Sequence, residues 1–185
     1  MMEGCVYIFI ADGFEEIEGL TVVDILRRGK VDIRTVSVEG RKNIEGSHGI
    51  KLETDCVLEE TDFSDAAMFV LPGGMPGTLH LGECRALTEM LLKANEEGKK
   101  IAAICAAPSV LGDLGILDGK AAVCYPGFEE RLKGAVIGDE KVVVSGNVIT
   151  SRGMGTAISF ALTLLSIMKD QETADQIGKG IIYYE

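Results

Sequence analysis

The chain has 185 residues, 46% of them apolar, which suffices for one domain with a full core. Eighteen basic against 29 acidic side chains give a net charge of −11, which argues against a nucleic-acid partner, since that would need a basic face. No apolar run approaches a membrane span, and Met1-Met2-Glu3 lacks the basic start of a secretory leader, so a cytoplasmic location without membrane contact is expected.

Val6 to Ala11 (VYIFIA) is a continuous apolar run, as in a strand buried on both faces. Phe14 to Arg28 reads as a helix ended by Gly29, and Val31 to Val38 as a second strand. Lys42 to Leu52, with Gly46 and Gly49, reads as a short exposed β excursion. Ala66 to Leu71 is another buried strand, broken by Pro72-Gly73-Gly74. A helix over 83–97, a strand over 101–104 and a short helix over 108–114 follow. The last third predicts short strands at 136–137, 142–144 and 148–150, an amphipathic helix over 155–168 and a closing helix near 171–177. Strands alternating with helices predict an α/β fold, a flavodoxin-like three-layer sandwich with a mostly parallel central sheet, in a single domain over 1–185. The active crevice then lies beyond the carboxyl ends of the strands, at a switch point.

Cysteines stand at 5, 56, 84, 105 and 124, with no C-x-x-C. An odd, scattered set fits free thiols in a reducing compartment. With only His48 and His80 beside them, a metal site is not expected.

Three expected strand ends carry unusual residues: Asp12 to Glu18, Pro72 to Gly77, and Cys105 to Pro108. A doubly wound sheet brings such ends together. Ala103-Ile104-Cys105-Ala106-Ala107 has the form small-x-nucleophile-x-small that a tight strand-to-helix turn demands, and Pro108 suits the first turn of the helix that follows. Unpaired amides there favour a thiolate or an oxyanion. A free thiol is about 3% ionised at pH 7, and a lowering of ~3 pKa units makes thiolate dominant. An inert buried cysteine fits the same segment. Glu18 falls at roughly 300° on a helical wheel, on the apolar arc with Val22 and Ile25. A carboxyl there is protonated or paired, or it reaches solvent. Glu15 and Glu16 are explained by the dipole of the first helical turn. His48 and His80 read as surface residues. No phosphate-loop or dinucleotide motif is present, so no cofactor is expected.

Taken together, IADGFEEIEGLTVVDILRRG, VLPGGMPG, IAAICAAPSVL and VITSRGMGTAISFAL resemble the ThiJ/PfpI superfamily, in particular its DJ-1 branch, from about Val6 to Ile177. The resemblance implies a homodimer, Cys105 as the reactive and readily oxidised cysteine, Glu18 as its carboxylic partner, and Gly74 and Ala106 as donors of backbone amides. It puts His48 where a side chain reaches the partner subunit's pocket. Tyr125 stands where a histidine is frequent, and Ala107 where glycine is frequent. The implied activities are cofactor-free glyoxalase chemistry on methylglyoxal or glyoxal and removal of early glycation adducts. The alternatives are a redox sensor or chaperone whose cysteine oxidises to sulfinic acid, and a cysteine amidase or protease. The tyrosine argues against the last.

Overall fold

The computed structural model describes residues 2–183. All six residues of β1 (Cys5–Ile10) are buried, as a continuous apolar run requires. Its side chains alternate between two cores: Val6, Ile8 and Ile10 face one, Cys5, Tyr7 and Phe9 the other. The chain continues through α1 (Glu16–Arg28), β2 (Ile33–Ser37), the pair β3 (Asn43–Glu45) and β4 (Lys51–Glu53), and β5 (Cys56–Val57). After a 3₁₀ turn come β6 (Ala66–Leu71), α2 (Gly77–Glu83), α3 (Arg85–Glu96), β7 (Lys100–Ile104) and α4 (Pro108–Asp113). The remainder is β8 (Ala121–Ala122), β9 (Val136–Ile137), β10 (Val142–Ser145), β11 (Val148–Ser151), α5 (Ala157–Met168) and α6 (Gln171–Gly180).

The central sheet runs β10-β11-β7-β6-β1-β2-β5. Every pairing in it is parallel except that of the edge strand β10 with β11. One core holds Val22, Ile25 and Leu26 of α1 with Phe160, Leu164 and Leu165 of α5 and Ala174 of α6. The other holds Leu81 of α2, Leu87 and Leu91 of α3, and Val110 and Leu111 of α4. This is the expected three-layer α/β sandwich of flavodoxin-like type. No helix among the described residues is long and apolar enough to cross a membrane.

Four details differ from expectation. The helix expected over 83–97 is two, because Cys84 is extended (φ −72°, ψ 96°) and separates α2 from α3. The helix expected from 155 begins at Ala157, after a 3₁₀ turn over Met154–Thr156. The strand at 136–137 pairs with β8 outside the central sheet. Strands β5 and β8 have two residues each, too short to show any period.

Strand β1 lies between β2 and β6, so successive connections leave it in opposite directions. Such a switch point opens a crevice at the carboxyl ends of β1 and β6, beside that of β7.

Candidate active site

Two backbone hydrogen bonds tie the ends of β1 and β6 together: the Glu15 amide donates to the Gly73 carbonyl (2.9 Å) and that of Gly77 to the Gly13 carbonyl (3.2 Å). Gly74 has φ +93°, and a Cβ there would lie 2.2 Å from the Glu15 nitrogen, so only glycine fits the crossing.

Cys105 follows β7 with φ +65°, a conformation that L residues other than Gly, Asn and Asp rarely hold. Its amide donates to the Ser151 carbonyl (3.0 Å) and its carbonyl accepts from the Tyr125 amide (2.8 Å), which fixes the turn from both sides. Ala103 and Ala107 are fully buried around it. Ala107 has φ −63°, so a β-carbon is tolerated there. Pro108 opens α4.

Glu18, on α1, is 1% exposed. Its Oε2 accepts from the Gly73 amide (2.9 Å) and the carboxyl hydrogen-bonds to Cys105. Burial pushes this carboxyl up to about 7, against the hydrogen bonds from Cys105 and Gly73, and the charge of Glu15 adds to the rise. Burial likewise pushes the Cys105 thiol up to about 12; the charge of Glu18 and the hydrogen bond to it act in the same sense, and the Ala106 and Gly74 amides act in the opposite one. The lowering expected from those amides is therefore outweighed, first by burial and then by Glu18, and the thiol is raised and not lowered. Two groups so close do not both carry charge, so they titrate as one unit. The unit sheds one proton near pH 7 and retains the second into alkaline solution. If the retained proton is on sulfur, the carboxylate rests on the Gly73 amide. If it is on oxygen, the thiolate rests on the amides of Ala106 and Gly74.

The other expected residues fall into two places. Tyr125 adjoins the pair, through its amide and through a ring packed on Gly153. His48, in the loop from β3 to β4, meets a different partner: its amide donates to Glu16 Oε1 (2.8 Å), and its Nδ1 lies 2.9 Å from Glu16 Oε2 and 3.5 Å from Glu15 Oε2. Glu16, which the sequence suggests as an acid of the first helical turn, is 3% exposed. Burial pushes it up, but the His48 ring and the backbone amides of Glu16, His48 and Ile50 outweigh that and hold it down to about 2. The same hydrogen bond, with the charges of Glu15 and Glu16, raises His48. His80 pairs with Glu39 (3.1 Å). Among the described residues no hydrogen bond joins either histidine to the Cys105 sulfur. Gly73 lies in the Pro72-Gly73-Gly74 turn that the sequence marks, whereas Gly153 is a site residue that sequence reasoning does not single out. Both lie in family-like motifs, but a glycine that leaves room for another residue's atoms has no signature of its own.

The model of the DJ-1/PfpI family matches residues 5–167. "Protein DJ-1 homolog A" of Arabidopsis thaliana is 39% identical over 180 residues, which are 96% of this chain and 46% of that protein. This chain thus spans less than half the length of that relative. "Glutathione-independent glyoxalase DJR-1.2" of Caenorhabditis elegans is 31% identical over 168 residues, 90% of this chain and 89% of that one. The solved structure described as oxidized DJ-1 of Toxoplasma gondii superposes with a TM-score of 0.94 at 34% identity, covering 98% of this chain and all of the other.

Proposed function

Because the chain belongs to the DJ-1/PfpI family, we propose that it converts small α-oxoaldehydes, methylglyoxal and glyoxal among them, into α-hydroxy acids with Cys105 and Glu18 and without a cofactor. The observation that carries this reading is the buried carboxyl of Glu18, pushed up to about 7 and hydrogen-bonded to a thiol on a strained turn. A group that titrates near neutrality both gives and takes a proton at working pH. The glyoxalase relative supports the substrate class.

In the reaction, the Glu18 carboxylate takes the proton of the Cys105 thiol, and the sulfur attacks as thiolate. The sulfur bonds to the aldehyde carbon, the carbonyl electron pair moves to oxygen, and that oxygen takes the proton of Glu18. The product is a hemithioacetal, and the amides of Gly74 and Ala106 stabilise the oxyanion that precedes it. Glu18, now a carboxylate, removes the proton from the same carbon, giving an enediol. The neighbouring carbon regains a proton, which leaves a thioester on Cys105. Water cleaves that thioester, releasing lactate from methylglyoxal or glycolate from glyoxal and restoring the thiol. Cys105→Ala is expected to abolish lactate formation. A variant that forms lactate at the parent rate refutes the scheme. Early glycation adducts, as adducts of the same aldehydes, are a second substrate class for this site.

A redox sensor is the second reading, favoured by the strained turn at Cys105, which is partly exposed, as Cys56 and Cys84 are, while Cys5 and Cys124 are buried. Oxidation of the sulfur to sulfinic acid adds two oxygens drawn from peroxide. The oxidized state of the Toxoplasma gondii relative supports it. Mild peroxide followed by peptide mapping separates the two readings: selective addition at Cys105 without aldehyde turnover favours the sensor. A chaperone role would accompany that oxidised state. An amidase or protease reading finds no support, since neither histidine bonds to the sulfur.

The homodimer also belongs to this proposal. Ile17 (51% exposed), Leu20 and Ile50 (53%) are apolar and exposed together. They line a groove of about 490 Å³ with Ile158 and Ile181. A second copy covers such a face by a two-fold contact.

A further inference from the structure

We infer that the site selects among α-oxoaldehydes through an apolar rim in which the ring of Tyr125 receives the substituent on the substrate's ketone carbon, so that a flat aryl substituent is preferred to a hydrogen or a methyl. This rests on the aldehyde reading above and adds the class of aldehyde to it.

The ring is placed by two contacts. The Tyr125 amide donates to the carbonyl of Cys105 itself (2.8 Å), which holds the residue against the nucleophile's turn. Ring atoms Cδ2 and Cε2 lie 3.2 and 3.8 Å from the point that a Cβ on Gly153 would occupy. That same point is 3.9 Å from Glu18 Oε1. Ring and carboxyl therefore border one small volume, which is empty of side chain because residue 153 is glycine. Even so, Tyr125 is 51% exposed. No hydrogen bond engages its hydroxyl among the described residues. Contact along the Cδ2–Cε2 edge, and not the phenol, thus sets the ring's position.

The Gly74 amide points at the sulfur from the side of the β6 turn. The buried acid–thiol pair is a polar point, and the half-exposed ring of Tyr125 is the apolar rim beside it. The reacting aldehyde needs only the pair and its amides. Whatever hangs from the adjacent ketone carbon meets the rim, and an aromatic group gains most against a ring face.

The test compares kcat/KM for phenylglyoxal and for glyoxal in the parent, Tyr125→Phe and Tyr125→Ala. The parent is expected to favour phenylglyoxal, Tyr125→Phe to keep that ratio, and Tyr125→Ala to lower it by about 3- to 10-fold, the range of an aromatic pair. An unchanged ratio in Tyr125→Ala overturns the inference. Stoichiometric alkylation gives a readout that needs no turnover. Phenacyl bromide and bromoacetone each form a sulfur–carbon bond at Cys105 and release bromide. Their rate ratio is expected to fall in Tyr125→Ala and to hold in Tyr125→Phe. If no aldehyde is turned over by the parent, the glyoxalase reading fails, while the alkylation ratio still decides the role of the ring. If neither reagent labels Cys105, or the ratio ignores Tyr125, the rim is refuted.

Discussion

The Gly73 amide donates to Glu18 Oε2 over 2.9 Å, while a Cβ on the same glycine would sit 2.7 Å from that oxygen and 2.6 Å from Cys105 Cβ. One residue thus supplies a hydrogen bond to the acid and the space in which acid and thiol meet. Gly73→Ala is expected to force the pair apart. It should cost stability by about 1–3 kcal/mol, as overpacking does, and slow iodoacetamide labelling of Cys105. Labelling at the parent rate by a protein that melts at the parent temperature would show that the pair does not depend on this packing.

Glu18→Gln separates the charge of the acid from its shape. In the parent, the charge of Glu18 helps push the thiol up to about 12. The glutamine carries no charge, so the Cys105 titration is expected to move down. Thiolate absorbance against pH should show the parent's sulfur titrating near 12, well after Glu18 has lost its proton near 7, and the variant's sulfur titrating at lower pH. A thiol that titrates higher in the variant than in the parent contradicts the coupling.

The same substitution has a stability signature. Glu18 is raised in the folded protein, to about 7 from an ordinary 4.5. A raised group contributes stability that is complete below about pH 4.5 and is lost as pH rises through 7. The difference is ~3 kcal/mol at most, given the size of the shift. The melting temperature of Glu18→Gln relative to the parent is therefore expected to climb between about pH 5 and pH 8. A constant offset would mean that the carboxyl is not penalised by burial.

Much of this site is legible in the amino-acid sequence. Buried parallel strands carry continuous apolar runs, so VYIFIA and AAMFVL place β1 and β6, and Cys105 between alanines marks the turn after β7. The periodicity of α1 puts Glu18 on an apolar arc, and it is 1% exposed. Glu16 is the counter-example. Its position in the first turn suggests a solvated acid, yet the loop carrying His48 folds back from 32 residues away and buries it. Helix periodicity records only a helix's own core face; it says nothing of a loop that closes over another face. Strand order is equally hidden, because each residue run specifies burial and not which neighbour supplies it.

Glu16 yields a prediction of opposite sign to that for Glu18. It is held down to about 2, below its ordinary 4.5, by His48 and three backbone amides. A depressed carboxyl contributes stability that is present above about pH 4.5 and is lost as pH falls through 2. The parent should therefore lose stability on the acid side, and Glu16→Gln should lose less over the same interval while starting from a lower value. His48→Ala removes the ring but keeps the backbone donor of residue 48, so it is expected to retain part of the parent's acid dependence. Urea midpoints from about pH 2.5 to pH 6 measure all three proteins. If Glu16→Gln follows the parent's slope throughout, the buried Glu16 carboxylate does not anchor the loop, and the loop's position over α1 rests on other contacts, such as the Ser47 amide on the Phe14 carbonyl (2.9 Å).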